Sequence, residues 1–266
     1  MTKILDVVII IVNHNHGVLA QRTVESLYAL TDSITFQLIV VDNASTDGFP
    51  EWLSSNYLQV KVIRNSHPQG FAYNNNKAIR LAPESPYILL LNPDIECLPG
   101  ILDTLIQFMQ THPNAGIVGP KLLNPDGTTQ PSARCFSTPL HLLVRGLHLD
   151  SIIKNTDLMH SYLGSYIYSE NARDVDWITG AAMMVRRSAI KNVGLMDDAY
   201  FLYAEDQDWC CRMWQAGWSV YYVPQAQAIH KCLREGMRRP WSRAARHQLV
   251  SALKMFNKFN WHLNRE

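Results

Sequence analysis

Apolar positions alternate between two rhythms over the first 120 residues. Val7-Val-Ile-Ile-Ile-Val12 is an unbroken, largely β-branched run, the pattern of a parallel strand buried on both faces. Residues 16–30 then set Leu19, Thr23, Leu27 and Leu30 roughly on one side, which predicts a helix. Strands follow at Gln37-Leu-Ile-Val-Val41, at residues 60–63 and at Tyr87-Ile-Leu-Leu-Leu91. A turn at Gly70 leads into a helix over 72–81, and Pro99 opens a helix carrying Leu102, Leu105 and Met109, because proline is favoured in a first helical turn. Strands alternating with helices predict an α/β fold with a mostly parallel sheet.

The rhythm weakens from residue 127 to residue 174, where Pro, Gly, Ser, Tyr and His accumulate. This stretch reads as a long excursion, partly helical over 140–149. Strands return at Ala181-Ala-Met-Met-Val185 and at residues 218–223, the latter stopped by Pro224. Trp209, Met213 and Ala216 lie at i, i+4 and i+7, with Gly217 where a helix would end. A last helix is predicted from residue 241 to residue 259, with Leu249, Leu253 and Phe256 on one face. No repeat or low-complexity linker interrupts the chain. The expected organisation is a catalytic body over 1–230, with its nucleotide-binding part over about 1–120 and its acceptor part over about 121–230, followed by a basic helical tail over 231–266.

Composition narrows the classes. The chain has 266 residues, 47% hydrophobic and 18% charged, as in ordinary globular proteins. No apolar run approaches the roughly 18 residues of a membrane span. The first apolar run is too short for a signal-peptide core and follows Asp6, so a cytoplasmic protein is expected. Cys97, Cys135, Cys210, Cys211 and Cys232 have neither zinc spacing nor a paired framework. Cys97 or Cys211 as a nucleophile has no supporting local context, and buried thiols are the simpler reading.

The net charge of +1 conceals an asymmetry. From Lys231 onward there are nine Lys or Arg against two acids, while the first 230 residues carry fifteen basic and twenty-one acidic residues. Such a tail is suited to anions such as phosphorylated ligands, nucleic acid or an anionic membrane, or is simply a solvated helix face. Nucleic acid has no recognised motif behind it and is not expected.

Three acidic loops carry the candidate chemistry. Glu205, Asp206 and Asp208 stand between an aromatic run and the helix of Trp209 and Met213. Carboxylates there sit at a helix N-terminus, facing a cleft or capping the helix. Asp42-Asn-Ala-Ser-Thr-Asp-Gly48 follows a strand, where open α/β sheets bind ligands. It reads equally as a polar turn. Asn92-Pro-Asp94 also ends a strand, where a carboxylate suits Mg²⁺ or Mn²⁺ or a capped turn. His230 becomes a metal ligand only if folding brings it to Asp94.

In order along the chain come residues 7–15, Val41-Asp-Asn-Ala-Ser-Thr-Asp-Gly48, Gly70-Phe-Ala-Tyr-Asn74, Leu91-Asn-Pro-Asp94, Gly119-Pro-Lys-Leu122, Gly180-Ala-Ala182 and Phe201-Leu-Tyr-Ala-Glu-Asp206. This series resembles the family 2 glycosyltransferases, particularly the rhamnosyltransferase-like branch, over about residues 5–232. Each motif is weak alone, and their order makes the match specific. The resemblance implies a GT-A fold with a C-terminal helical extension, an inverting mechanism, a nucleoside-diphosphate sugar donor (UDP or dTDP) and Mg²⁺ or Mn²⁺. The acceptor would be a glycan or a lipid-linked glycan, with peripheral contact at the inner face of the membrane.

Carried over by position, Asp42 resembles the nucleobase-binding Asp, with Asn13, Asn43, Gly70 and Asn92 on the donor side. Asp94 and His230 resemble metal ligands. Asp206 resembles the catalytic base, with Glu205 beside it, and Trp177, Gly180 and Asp208 fall on the acceptor side. Asn92 departs from the family's usual first Asp and lowers the negative charge offered to a metal. A sugar-phosphate nucleotidylyltransferase would want a Gly-rich loop after the first strand, but Asn13-His-Asn-His-Gly17 holds one Gly. No G-x-G-x-x-G supports a dinucleotide oxidoreductase. A nucleotide-sugar binding module without activity would be favoured by loss of the acidic trio, which is intact.

Overall fold

The computed structural model describes residues 5–30, 33–141, 169–231 and 243–265. In chain order the body consists of β1 (Val7–Asn13), α1 (Gly17–Ala29), β2 (Phe36–Asp42), α2 (Phe49–Asn56), β3 (Lys61–Arg64), α3 (Phe71–Leu81), β4 (Tyr87–Leu91), β5 (Ile95–Cys97), α4 (Ile101–Thr111) and β6 (Ala115–Leu123). Short strands β7 (Thr129–Gln130), β8 (Ala133–Arg134), β9 (Arg173–Asp174) and β10 (Trp177–Ile178) precede β11 (Ala182–Arg186), α5 (Arg187–Val193), α6 (Glu205–Gln215), β12 (Ser219–His230) and α7 (Arg243–Lys258).

The main sheet runs β3-β2-β1-β4-β11-β6-β12-β5. Its first four strands are parallel, β11 is antiparallel to both neighbours, and β12 is parallel to β6. The β-branched run of β1 is explained by burial on both sides. Val7, Ile9 and Ile11 join α1, α2 and α4 in one core, whereas Val8 and Ile10 join α3, α5 and α6 in the other. The result is a sheet between two helical layers, as the periodicity predicted.

Two expectations need correction. Pro224 does not end its strand: β12 continues to His230, and its pairing with β6 shifts register between Val223 and Gln227. A proline has no N–H for the ladder, so the strand bulges past it. That extension delivers His230 to the far end of the sheet. The sequence also left residues 115–123 without an element, and they form the long strand β6. Its Gly119 is set by packing, since a Cβ there would lie 2.3 Å from Ile178 Cγ2. The expected helix over 140–149 lies outside the described residues from residue 142 onward, as does Cys232. Cys97, Cys210 and Cys211 are buried, and burial pushes the Cys211 thiol up to about 11.

Helix α7 packs back on the body. Met255 and Phe256 are fully buried with Tyr200, and Ser251 Oγ donates to Leu202 O at 2.9 Å. Among the described residues, no helix is long and apolar enough to cross a membrane.

Candidate active site

The carboxyl ends of β1, β2 and β4 form one edge. Asn13 lies opposite Asp42 in the β1–β2 register. Asp42 is buried, and its Oδ1 accepts from Ser45 N at 3.3 Å. Asn13 donates to Ser45 Oγ and accepts from His16 N. Asn43 donates to Gln69 O at 3.0 Å and accepts from Gln69 N at 2.8 Å. Asn65 donates to Asn43 and Asn74 and accepts from Lys77 Nζ. Asn13 and Asn43 therefore hold the turn that presents Asp42.

The next two residues are brought together by topology. His230 ends β12 opposite Ile95, the residue after Asp94, and its Nε2 lies 3.3 Å from Asp94 Oδ1. His230 Nδ1 is 2.6 Å from Gln130 Oε1, an acceptor, so Nδ1 carries the proton. Gln130 is itself oriented by donating to Asn124 Oδ1 and His230 O. In the neutral ring, Nε2 then turns a lone pair toward a carboxylate oxygen. Two acceptors facing at this distance suit a shared cation, and an outer partner fixing the ring is the usual companion of a ligating histidine. Asn92 is anchored through its backbone, N to Ala181 O at 2.8 Å. Among the described residues no group of three or more His, Cys, Asp or Glu surrounds this point, so further ligands would come from a bound diphosphate and water.

The acidic turn is reached through strained backbone. Tyr203 and Ala204 have φ of 70° and 72°, a left-handed conformation costing non-glycine residues about 1–3 kcal/mol each. Ala204 is the N-cap of α6 and provides no side-chain cap. The three acids occupy the first turn rather than the cap. Gly70 supports this turn from the donor side: Phe71 N donates to Phe201 O at 2.9 Å. A Cβ on Gly70 would sit 2.7 Å from that same oxygen, so only glycine allows the approach.

Asp206 is half-buried, with Oδ2 accepting from Gly180 N at 3.0 Å and Oδ1 from Gln207 N at 2.9 Å. Burial raises its pKa against these two hydrogen bonds and the nearby positive charge of Arg134. Glu205 is buried, and its Oε2 has no hydrogen-bond partner among the described residues. Burial, reinforced by the charge of Asp206, pushes it up to about 8. Desolvation thus outweighs the favourable field of the helix terminus, worth about 0.3–1 kcal/mol. Burial and the neighbouring charge therefore favour the protonated form of Glu205.

Asp208 requires a correction. Its side chain is 0% exposed, with Oδ1 2.7 Å from Arg212 Nε and Oδ2 2.7 Å from Lys258 Nζ. Tyr200 OH also donates to Oδ2. A carboxylate enclosed in this way cannot reach an acceptor; it ties α6 to α7. Burial and the Asp208 charge raise the Tyr200 phenol well above its ordinary value. Trp177 is buried, donating Nε1–H to Cys135 O at 2.8 Å, with Arg134 over its ring.

Sequence reasoning missed Gln130, Arg134 and Lys258, each joined to its site partner across a large chain separation. No local signal marks them. Contacts link the predicted sites: Asn43 to Gln69, Phe71 to Phe201 ahead of Asp206, Asn92 to Ala181 beside Gly180, and Asp94 to His230. Residues 8–194 match the model of Glycosyl transferase family 2. The chain belongs to that family. It is 31% identical to N-acetylglucosaminyl-diphospho-decaprenol L-rhamnosyltransferase of Mycobacterium tuberculosis, over 93% of this chain and 82% of that one. It is 30% identical to Rhamnosyltransferase WbbL of Escherichia coli, over 93% of this chain and 91% of that one.

In fold the transferase matches the mannosyltransferase PcManGT from Pyrobaculum calidifontis, solved with GDP-Man and Mn²⁺, at TM-score 0.66 and 16% identity, over 98% of this chain and 66% of that one. It matches GalNAc-T7, solved with UDP, GalNAc and Mn²⁺, at TM-score 0.64 and 16% identity, over 85% of this chain and 43% of that one. The architecture is GT-A. The protein is a glycosyltransferase that moves a sugar from a nucleotide sugar to an acceptor.

Proposed function

We propose that this transferase moves rhamnose, with inversion, from a dTDP- or UDP-sugar to a hydroxyl of a lipid-linked glycan. The observation that carries the mechanism is Asp206, half-buried and pinned by Gly180 N and Gln207 N. The acceptor hydroxyl gives its proton to Asp206 as its oxygen attacks the anomeric carbon. The bond from that carbon to the diphosphate breaks, and the diphosphate leaves with the electron pair on the opposite face. One displacement inverts the centre.

Asp42 accepts the N3–H of the base, which uracil and thymine share. Asp94 and His230 would hold Mg²⁺ or Mn²⁺. Such an ion, when bound, neutralises charge on the departing diphosphate. Rhamnose as the sugar rests on the two relatives named as rhamnosyltransferases. The lipid-linked acceptor rests on the decaprenol in one of those names, and brings the protein to the inner face of a membrane from the cytoplasm.

Hydrolysis of a panel of UDP- and dTDP-sugars, with and without Mn²⁺, tests this reading. dTDP- or UDP-rhamnose should turn over fastest, and EDTA should suppress it. A donor bound and cleaved equally well in EDTA overturns the metal assignment, and preference for another sugar overturns rhamnose.

A further inference from the structure

Helix α7 has two apolar faces. One carries Ala252, Met255 and Phe256, buried against Tyr200 and the loop before α6. The other carries Leu249, Val250 and Leu253, exposed by 61%, 51% and 43%. These three and exposed Arg246 stand at i, i+3, i+4 and i+7, which places them in one stripe along the helix. An apolar stripe on the outside of a helix already docked by its inner face is unusual in water.

Charge selects what covers it. Lys231, Arg234, Arg238, Arg239, Arg243 and Arg246 precede or enter the stripe, with Glu235 alone opposing them. A second copy paired through this face would bring the same positive charge against itself. Three side chains also fall well short of the about 800 Å² per partner of a stable protein interface. An anionic bilayer suits both features. Its acyl boundary takes the leucines and its headgroups take the basic residues, and stable anchoring needs two such signals together.

We infer that the outer face of α7, through Leu249, Val250, Leu253 and Arg246, is a docking surface for an anionic lipid bilayer. The surface is close to the chemistry. His247 on the same helix stacks on Phe201 with ring centroids 4.6 Å apart, and Phe201 belongs to the turn that leads to Asp206. A docked α7 therefore brings the acidic turn to the membrane, where a lipid-linked hydroxyl is presented. This deepens the lipid-linked reading, but its test needs no sugar and each can fail alone.

The test is flotation of the full chain with phosphatidylglycerol–phosphatidylcholine vesicles and with phosphatidylcholine vesicles, at low and high salt. Wild type should bind the anionic vesicles and weaken with salt. Leu249→Ser with Val250→Ser and Leu253→Ser should weaken binding more than tenfold at an unchanged melting temperature, and Arg246→Gln should weaken it less. Leu58→Ser, at a site 87% exposed on the body, should change nothing. Wild-type binding by the triple variant, equal binding to neutral vesicles, or no binding at all overturns the inference. A dimer that the triple variant dissolves assigns the stripe to a second copy and overturns it equally.

Discussion

The acidic loops of Asp42 and Asp206 are held by different kinds of contact. Around Asp42 the partners come from two adjacent βα turns: Ser45 N donates to Asp42, Asn13 to Ser45 Oγ, Thr46 N to Asn15 and Gly17 N to Asp47. Around Asp206 they come from several elements. Gly180 holds the carboxylate, Gly70 admits the preceding turn, and Lys258 and Tyr200 secure Asp208 at its back. A turn closed by its own polar residues survives the loss of one bond, whereas a turn assembled from separate elements transmits each loss to the base. The difference makes the donor side a joint between two turns and the acidic turn a joint between several elements.

The largest test of that contrast is Asp206→Asn. Its transfer rate should fall by about 10²–10⁴, with donor affinity kept, as read by single-turnover kinetics and calorimetry. Wild-type turnover would move the base elsewhere.

Next is Asp208→Ala, which leaves Lys258 and Arg212 without their buried carboxylate. Breaking such a pair costs about 3–5 kcal/mol, measurable by urea unfolding. Donor affinity in the folded fraction should persist while kcat falls. A stability change below 1 kcal/mol would mean that α7 does not brace the turn.

Glu205→Gln tests the electrostatics of the same turn. Folding raises the pKa of Glu205 from 4.5 to about 8, so the unfolded chain loses this proton first. Stability is therefore lost as pH rises from about 4.5 to 8. The variant lacks that loss. Its stability advantage should be absent at pH 4, grow across this window and level off above it. An advantage independent of pH would show that Glu205 ionises normally.

The smallest effect is expected on the donor side. Asp47 Oδ2 accepts from Gly17 N at 2.7 Å at the start of α1. Asp47→Ala should cost about 1 kcal/mol, as for a lost helix cap, and leave kcat nearly unchanged. A loss of kcat as large as that of Asp208→Ala would erase the distinction between the two regions.

The legibility of the site follows the same division. Asp42 and Asp94 were readable because each ends an apolar run that predicts a strand, and strand ends gather ligands. The three acids were readable as a group from the helix behind them, but not their separate duties. Burial made Asp208 a brace and kept Glu205 protonated, and burial depends on what packs from elsewhere. Gln130 gave no signal, because its importance lies in orienting a histidine 100 residues away.

By itself the sequence determined the alternation of strands and helices, the strand ends that carry polar turns and the family to which the chain belongs. These rest on periodicity and on motifs within a few residues, which the chain encodes locally. Tertiary structure decided that β12 runs past Pro224 to bring His230 beside Asp94. It also decided that α7 returns to brace the acidic turn and leaves a second apolar face outside. Those outcomes depend on which elements are neighbours in space, and neighbours across the sheet are set by the summed packing of the whole chain rather than by any one segment.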